Sequence, residues 1–188
     1  MGGNKIEVKR VYKSFGSLEV LRDLSLSIRE GEFLCIVGPS GCRKTTLLRI
    51  IAGLEKPTSG EVLIDGKPPD PSIHRIGFVF QLSNLFPWRT VWENVRLGLE
   101  IRKTPSDEVV EKMIELVGLK GFENYYPHKL SGGMVKRVAI ARALAVDPDI
   151  LLMDEPFSDL DAQTTWIMHK ELLEIHEKLR KTTVFVTH

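Results

Sequence analysis

The 188-residue sequence predicts an α/β protein with three parts: a core built on a mainly parallel sheet, an N-terminal antiparallel β layer and an inserted α-helical lobe. Phe33–Val37 and Ile150–Met153 are continuously apolar, which is typical of parallel strands that are covered on both faces. Ile6–Lys9 alternates apolar and polar side chains, which predicts a half-exposed strand. Residues 90–145 carry almost no strand pattern and therefore predict helices.

The remaining elements follow from β-branched runs between turn residues and from helical periodicity. The other predicted strands are Ile6–Val11, Leu24–Ile28, Glu61–Ile64, Ile76–Phe80 and Thr183–Thr187, and the lobe helices are Val91–Leu99, Ser106–Val117 and Gly133–Leu144. A last helix spans Asp161–Lys181, with Asp161 as its N-cap and an apolar side made by Trp166, Leu172, Leu173, Ile175 and Leu179. We expect one domain over residues 1–188, with its core in 1–89 and 146–188 and the helical lobe in 90–145.

Composition and charge exclude several classes of protein. Apolar residues make up 43 % and charged residues 27 %, as in soluble globular domains, so disordered and fibrous proteins are excluded. The 26 Lys and Arg residues nearly balance the 25 Asp and Glu residues, which gives a net charge of +1. We therefore expect no nucleic-acid partner, and any anion must be bound by a local site. Cys35 and Cys42 match no zinc, redox or disulfide pattern, which favours a reducing, cytoplasmic setting. The apolar runs are too short for a membrane helix.

The first chemical motif follows the apolar strand Phe33–Val37 and precedes a helical segment. It approximates the phosphate-binding loop G-x-x-x-x-G-K-[ST], in which backbone N–H groups surround phosphate oxygens, the lysine reaches the outer phosphates and the hydroxyl holds magnesium. Lys44 and Thr45 would take the last two roles, and the alternative is an ordinary strand-to-helix turn with a surface Lys-Thr pair. The predicted loop consists of Gly38, Pro39, Ser40, Gly41, Cys42, Arg43, Lys44, Thr45 and Thr46.

A second motif lies at the end of the strand Ile150–Met153, where two carboxylates follow directly. Ligands of parallel α/β sheets bind at the carboxyl ends of the strands, so Asp154 and the lysine of the first motif are expected at one crevice. Asp154 would reach magnesium, and Glu155 would polarise an attacking water. The alternative is a solvated strand end.

A third motif, Ser131-Gly132-Gly133, opens the helix that carries Val138 and Ala141 on one face. Ser131 is a predicted N-cap, and the two glycines expose backbone N–H groups at the positive end of the helix, which would bind an anion. The alternative is a plain helix cap with a flexible turn.

Together these stretches resemble the ATP-binding subunit of ABC transporters from Ile6 to His188. The specific marker is Leu130–Gly133, with Ser131 placed 23 positions before Asp154, as the family's signature sequence precedes its acidic strand. The other matching features are Gln81 (the Q-loop glutamine), residues 158–161 (the D-loop), His188 (the switch histidine) and Phe15 (the ring that stacks on adenine). Taken singly, Gln81 could be a polar residue at a strand end, His188 a surface imidazole and Phe15 a core side chain.

The resemblance implies a transport-coupled ATPase with ATP and Mg²⁺ as cofactors. It implies catalytic roles for Glu155, His188, Gln81 and Lys44, and metal binding by Thr45, Gln81 and Asp154. Two copies, or this chain and a paralogous subunit, would pair head to tail, so that each ATP also contacts Ser131, Gly132 and Gly133 of the other copy. A membrane-spanning permease would hold the pair at the cytoplasmic face of the cell membrane.

Within the family, three segments look most like importer subunits for nitrate, sulfonate, taurine or related solutes: Pro57–Glu61, Leu85–Trp88 and Val91–Val95. The apolar segment after Gln81 is the predicted docking surface for the permease, with lobe core as the alternative. Its apolar residues are Leu82, Leu85, Phe86, Pro87 and Trp88.

Three positions depart from the family pattern. Arg43 replaces the last loop glycine, which predicts crowding of the phosphates or backbone strain of about 1–3 kcal/mol, although a guanidinium could instead partner a phosphate oxygen. Met134 replaces a glutamine at a position that tolerates apolar side chains. Family members continue past the histidine that corresponds to His188, so we expect a chain truncated at its C-terminus. A nucleotide-binding module with impaired hydrolysis is therefore the alternative function, and a soluble ATPase acting on DNA or ribosomes lacks the expected insertion, tandem cassettes or basic face.

Overall fold

A computed structural model describes residues 3–39 and 43–188 and divides the chain into two compact units. The core unit comprises the residues up to Phe78 together with Asp149–Asp154 and Arg180–His188. The helical unit comprises Val79–Pro148 and Glu155–Leu179. The predicted α/β class, with one parallel and one antiparallel sheet, is confirmed.

The antiparallel sheet of the core unit has the order β2-β1-β4. Its strands are β1 (Asn4–Phe15), β2 (Leu18–Arg29) and β4 (Ser59–Ile64). The first two are longer than predicted because they form one hairpin, in which Phe15 pairs with Leu18. Polar residues are tolerated along both strands since only part of each strand is buried.

The parallel sheet has the order β3-β7-β6-β5. Its strands are β3 (Phe33–Val37), β5 (Ile76–Val79), β6 (Ile150–Asp154) and β7 (Thr182–Thr187). Every residue of β6 is buried, as its apolar run predicts. The prediction that β3 is covered on both faces is wrong for the described residues, because Leu34 and Ile36 pack against the core cluster while Cys35 and Val37, on the opposite face, are exposed.

Helix α1 (Lys44–Ile51) joins the two sheets of the core unit. It contacts β4, β6 and β7, and its apolar side chains enter one hydrophobic cluster with residues of both sheets. From α1 these are Leu47, Leu48, Ile50 and Ile51. The cluster therefore fixes the start of α1 relative to the strand ends.

The helical unit contains four α-helices in addition to short turns among its described residues. They are α2 (Val91–Ile101), α3 (Asp107–Leu116), α4 (Gly132–Ala145) and α5 (Ala162–Leu179). Both predicted caps are confirmed: Ser131 accepts a hydrogen bond from the Met134 amide, and Asp161 accepts one from the Thr164 amide at 2.9 Å. Within residues 3–39 and 43–188, no helix combines the length and apolar character that a membrane crossing requires.

The predicted apolar side of α5 is partly wrong. Leu172 and Ile175 are buried together with Met168, one turn earlier, and this spacing defines the covered face. Trp166 and Leu173 are exposed, because they are seven positions apart and share a different stripe of the helix.

We predict that Gly60→Ala destabilises the core unit by about 2 kcal/mol more than the matched control Gly66→Ala. Both glycines have positive φ, +81° and +75°, so an alanine is strained at each of them. A Cβ on Gly60 would overlap the carbonyl of Arg10, whereas a Cβ on Gly66 meets no heavy atom within 4 Å. Urea unfolding measures both variants, and equal losses would contradict the close approach of the two strands.

Candidate functional site

The register of the parallel sheet brings three strand ends to one edge of the core unit. Val37 pairs with Thr187, and Val186 pairs with Asp154. The Gly38 amide donates a hydrogen bond to the Thr187 carbonyl at 3.3 Å. The phosphate-loop segment, His188 and Asp154 therefore start from neighbouring positions at the carboxyl edge, where parallel sheets bind ligands.

Lys44 and Thr45, the first two residues of α1, face this edge. The Lys44 ammonium is buried and donates to the carbonyls of Gly38 at 2.7 Å and Pro39 at 3.0 Å, so its side chain runs back along the loop. The Thr45 hydroxyl donates to Oδ1 of Asp154 at 3.0 Å. Of the predicted loop residues, Ser40, Gly41 and Cys42 lie outside the described residues.

This donor set fits magnesium and phosphate. A hydroxyl and a carboxylate are hard oxygen ligands, and Mg²⁺ in nucleotide sites takes one or two protein oxygens and completes its shell with phosphate oxygens and water. The amide groups of the first turn of α1 and the Lys44 ammonium add positive charge at the same place.

Arg43 immediately precedes α1 in a left-handed conformation, with φ 69° and ψ 9°, and its side chain makes no capping hydrogen bond. Glycine adopts this conformation without the steric cost that a Cβ brings. The strain predicted from the missing glycine is therefore a feature of the backbone. Thr46 lies in the first turn, where its amide donates to the Arg43 carbonyl at 3.1 Å.

Phe15 ends β1 and is 49 % exposed, so it is not a core side chain within the described residues. The Lys13 ammonium lies 4.6 Å from the centre of its ring. Lys13 is itself buried and is bound by the carboxylate of Glu55 at 2.6 Å and the carbonyl of Lys56 at 2.8 Å. The hydrogen bond from Lys13 holds the pKa of Glu55 below its usual value. The cation thus supports one face of an exposed aromatic ring.

Glu155 is the first residue of the helical unit after β6. It is half-buried and has φ 44°, a left-handed conformation that is uncommon for a glutamate and frequent at functional sites. The direction of the chain therefore changes directly after Asp154.

The start of α4 is exposed at Ser131 and Gly132. A Cβ on Gly132 would lie 3.2 Å from Leu160 of the 158–161 segment, and one on Gly133 would lie 3.3 Å from Thr164 of α5, so both added atoms would be in tight contact. The first backbone N–H groups of a helix have no partner within the helix, and here the Ser131 side chain accepts from the amide of Met134.

Gln81 and the 158–161 segment are brought together within the helical unit. The Gln81 side-chain amide donates to the Ser158 hydroxyl at 3.3 Å, and the Lys136 ammonium of α4 contacts both the Gln81 carbonyl and Asp159. At the other end of the segment, the hydroxyl and then the amide of Thr164 hold the pKa of Asp161 below its usual value.

Sequence reasoning missed three polar side chains that organise the helical unit. Asn94 is fully buried and bonds four times to the loop before α2, including the amide and carbonyl of Phe86 at 2.9 and 3.2 Å. Arg142 donates to the carbonyls of Ser83 and Asn84, and its burial lowers its pKa. Lys136 is the third. In each case the available signal was a polar residue whose neighbours three and four positions away within the helix are glycine or apolar.

The apolar segment after Gln81, which the sequence predicts to dock a permease, is only partly covered. Leu82 is 73 % exposed and Trp88 is 69 % exposed, whereas Leu85 and Phe86 are half-buried. Its conformation is set by Asn94 and by the capping box of Thr90 with Glu93. The two interpretations made from the sequence, surface and lobe core, therefore apply to different side chains.

A parallel strand, a loop with a buried lysine, a helix and a carboxylate at the end of another strand of the same sheet define a P-loop NTPase fold. The family model described as "ABC transporter" matches residues 21–158, and the chain belongs to this family.

Individual relatives agree with this assignment. An uncharacterized ABC transporter ATP-binding protein of Methanocaldococcus jannaschii is 54 % identical over 98 % of this chain and 72 % of its own length. An aliphatic sulfonates import ATP-binding protein of Bacillus anthracis is 44 % identical over 96 % of this chain and 72 % of its own length. A solved dimeric ATP-binding cassette, in a post-hydrolysis state with ADP and Pi, superposes with a TM-score of 0.83 at 39 % identity and covers 97 % of this chain and 88 % of that one.

Proposed function

We propose that the chain binds and hydrolyses ATP with Mg²⁺ and thereby powers the import of a small solute. The observation that carries the proposal is the 3.0 Å contact of the Thr45 hydroxyl with Asp154, beside a lysine held along the loop. Mg²⁺ supplies charge neutralisation between phosphates and the geometry of in-line transfer when it is bound. Gln81 is proposed as a further metal ligand.

The remaining roles follow the order of groups around a triphosphate. Lys44 neutralises charge on the outer phosphates, and Phe15 stacks on adenine with its exposed face. Glu155 orients and deprotonates the attacking water, and His188 contacts the terminal phosphate. The backbone of the loop from Gly38 through Thr46 cradles the phosphates.

The second half of each nucleotide site comes from another copy of the chain, or from a paralogous subunit, through Ser131, Gly132 and Gly133. Exposure of Ser131 and Gly132 at the positive end of α4 supports this arrangement, because the backbone N–H groups at the start of a helix bind anions. The dimeric cassette with ADP and Pi that resembles this chain also supports it. Closure on ATP completes the site and hydrolysis reopens it.

A membrane-spanning permease docks on the segment after Gln81 and holds the dimer at the cytoplasmic face of the membrane. The exposed apolar side chains of Leu82 and Trp88 support this assignment. Among importers, we favour the nitrate, sulfonate and taurine group. The segments Pro57–Glu61, Leu85–Trp88 and Val91–Val95 and the similarity to an aliphatic sulfonates import protein support that choice.

We predict that Glu155→Gln lowers ATP hydrolysis by about 100-fold or more, because the water loses its base, while ATP affinity stays within about threefold. Phosphate release and binding of a fluorescent ATP analogue measure the two effects. In sedimentation, this variant becomes a dimer with Mg-ATP. The matched control is Glu108→Gln, an exposed glutamate of α3, which leaves every value unchanged. Parental hydrolysis by Glu155→Gln would exclude its role, and absence of ATP binding by the parent chain would exclude the proposed function.

The second candidate function is a nucleotide-binding module with impaired hydrolysis, and the left-handed conformation of Arg43 favours it. We predict that Arg43→Gly raises turnover severalfold and, by relieving about 1 kcal/mol of strain, raises the unfolding temperature by about 2–4 °C. Arg43→Ala keeps the Cβ and is the control, with no gain in stability. Equal turnover of Arg43→Gly and the parent chain would show that Arg43 does not impair ATP hydrolysis.

A further inference from the structure

Lys136, in the second turn of α4, has a side chain that is only 3 % exposed. Its ammonium donates to the Gln81 carbonyl at 2.8 Å and pairs with Oδ1 of Asp159 at 2.7 Å. Burial of an ammonium is unfavourable unless hydrogen bonds and an opposite charge offset it, and here both are present.

Both partners of the Lys136 ammonium, Gln81 and Asp159, lie in loops that take part in the proposed function. Gln81 lies two residues after the end of β5, and Asp159 lies in the 158–161 segment. The same two loops also meet through the Gln81 amide and the Ser158 hydroxyl at 3.3 Å. Neither contact of the ammonium caps a helix or links two helices. Both contacts hold residues of loops, so they fix the conformation of those loops.

Arg142 holds the next part of the first loop from the same helix. Its guanidinium donates to the carbonyls of Ser83 at 2.7 Å and Asn84 at 2.8 Å. Two cations of α4, the buried Lys136 and the half-buried Arg142, therefore hold backbone carbonyls over residues 81–84. The cation of Lys136 also contacts the 158–161 segment.

We propose that Lys136 is a positioning residue that couples the 81–84 and 158–161 segments to the start of α4 through its ammonium. This inference rests on the proposed ATP hydrolysis. Through this cation, displacement of one loop changes the hydrogen bond that holds the other. Gln81 is thereby kept in the geometry that hydrolysis requires, although Lys136 itself touches no phosphate.

A purely stabilising role predicts different behaviour from a positioning role. Lys136→Met keeps the apolar stem and removes the charge, and the Asp159 carboxylate that loses its partner is 61 % exposed, so water solvates it and no buried charge is left unpaired. We expect the unfolding temperature to change by no more than about 4 °C. We expect kcat for ATP to fall about 10- to 100-fold, with KM within about threefold, because loops are misplaced while the nucleotide-binding groups of the core unit are unchanged.

The experiment compares Lys136→Met, Lys136→Arg and the exposed-lysine control Lys112→Met for kcat, KM, unfolding temperature and amide hydrogen exchange. Exchange in Lys136→Met should rise about tenfold in both segments, 81–84 and 158–161, and not in α2 or α3. Lys136→Arg, which keeps the charge and donors, should recover most of the lost kcat, and Lys112→Met should match the parent chain. Lys136→Met combined with Asp159→Asn should be no slower than Lys136→Met alone.

The inference is overturned if Lys136→Met keeps the kcat and the hydrogen exchange of the parent chain. It is also overturned if Lys136→Met and Lys136→Arg both lose kcat together with a large fall in unfolding temperature. If the parent chain binds ATP without hydrolysing it, the proposed hydrolysis fails. The exchange measurement then decides the coupling on its own, since it requires no turnover.

Discussion

The hydrogen bond from Thr45 to Asp154 joins two parts of the chain that are 109 positions apart. It forms because α1 is fixed against β6 and β7 by its apolar side chains, so the first turn of the helix lies where β6 ends. Movement of α1 by one residue would bury a different face and remove the hydroxyl from the carboxylate. The chemistry of the site therefore depends on the packing of the core unit, in which a single hydrophobic cluster holds both sheets.

Arg43 and Glu155 show where this arrangement is strained. Arg43 has φ 69° and directly precedes Lys44, and Glu155 has φ 44° and directly follows Asp154. Such conformations cost about 1–3 kcal/mol and persist only where the surroundings fix them. At Glu155 the turn redirects a carboxylate after a fully buried strand. At Arg43 the backbone takes a conformation that glycine adopts freely. An arginine therefore carries a steric cost at this position whether or not a ligand is bound.

Local signals in the sequence predicted much of the fold and part of the site. Ser131 and Asp161 were recognised as caps because capping depends on the next three residues, and β6 was recognised because its apolar run is continuous. The predicted covering of β3 and the place of Trp166 on α5 were wrong because burial depends on which elements are neighbours. Lys136 was missed for the same reason: its partners, Gln81 and Asp159, lie on loops far away in the sequence.

The most direct test of the account is whether Thr45 and Asp154 act together on a metal-bound nucleotide. ATP affinity is measured with Mg²⁺ and with EDTA for the parent chain, Thr45→Val, Asp154→Asn, the double variant and the exposed control Thr104→Val. We expect Mg²⁺ to tighten binding at least about tenfold in the parent and the control, and less than about threefold in each single variant, with no further loss in the double. Equal affinity with Mg²⁺ and EDTA in the parent chain, or additive losses in the double variant, would contradict the account.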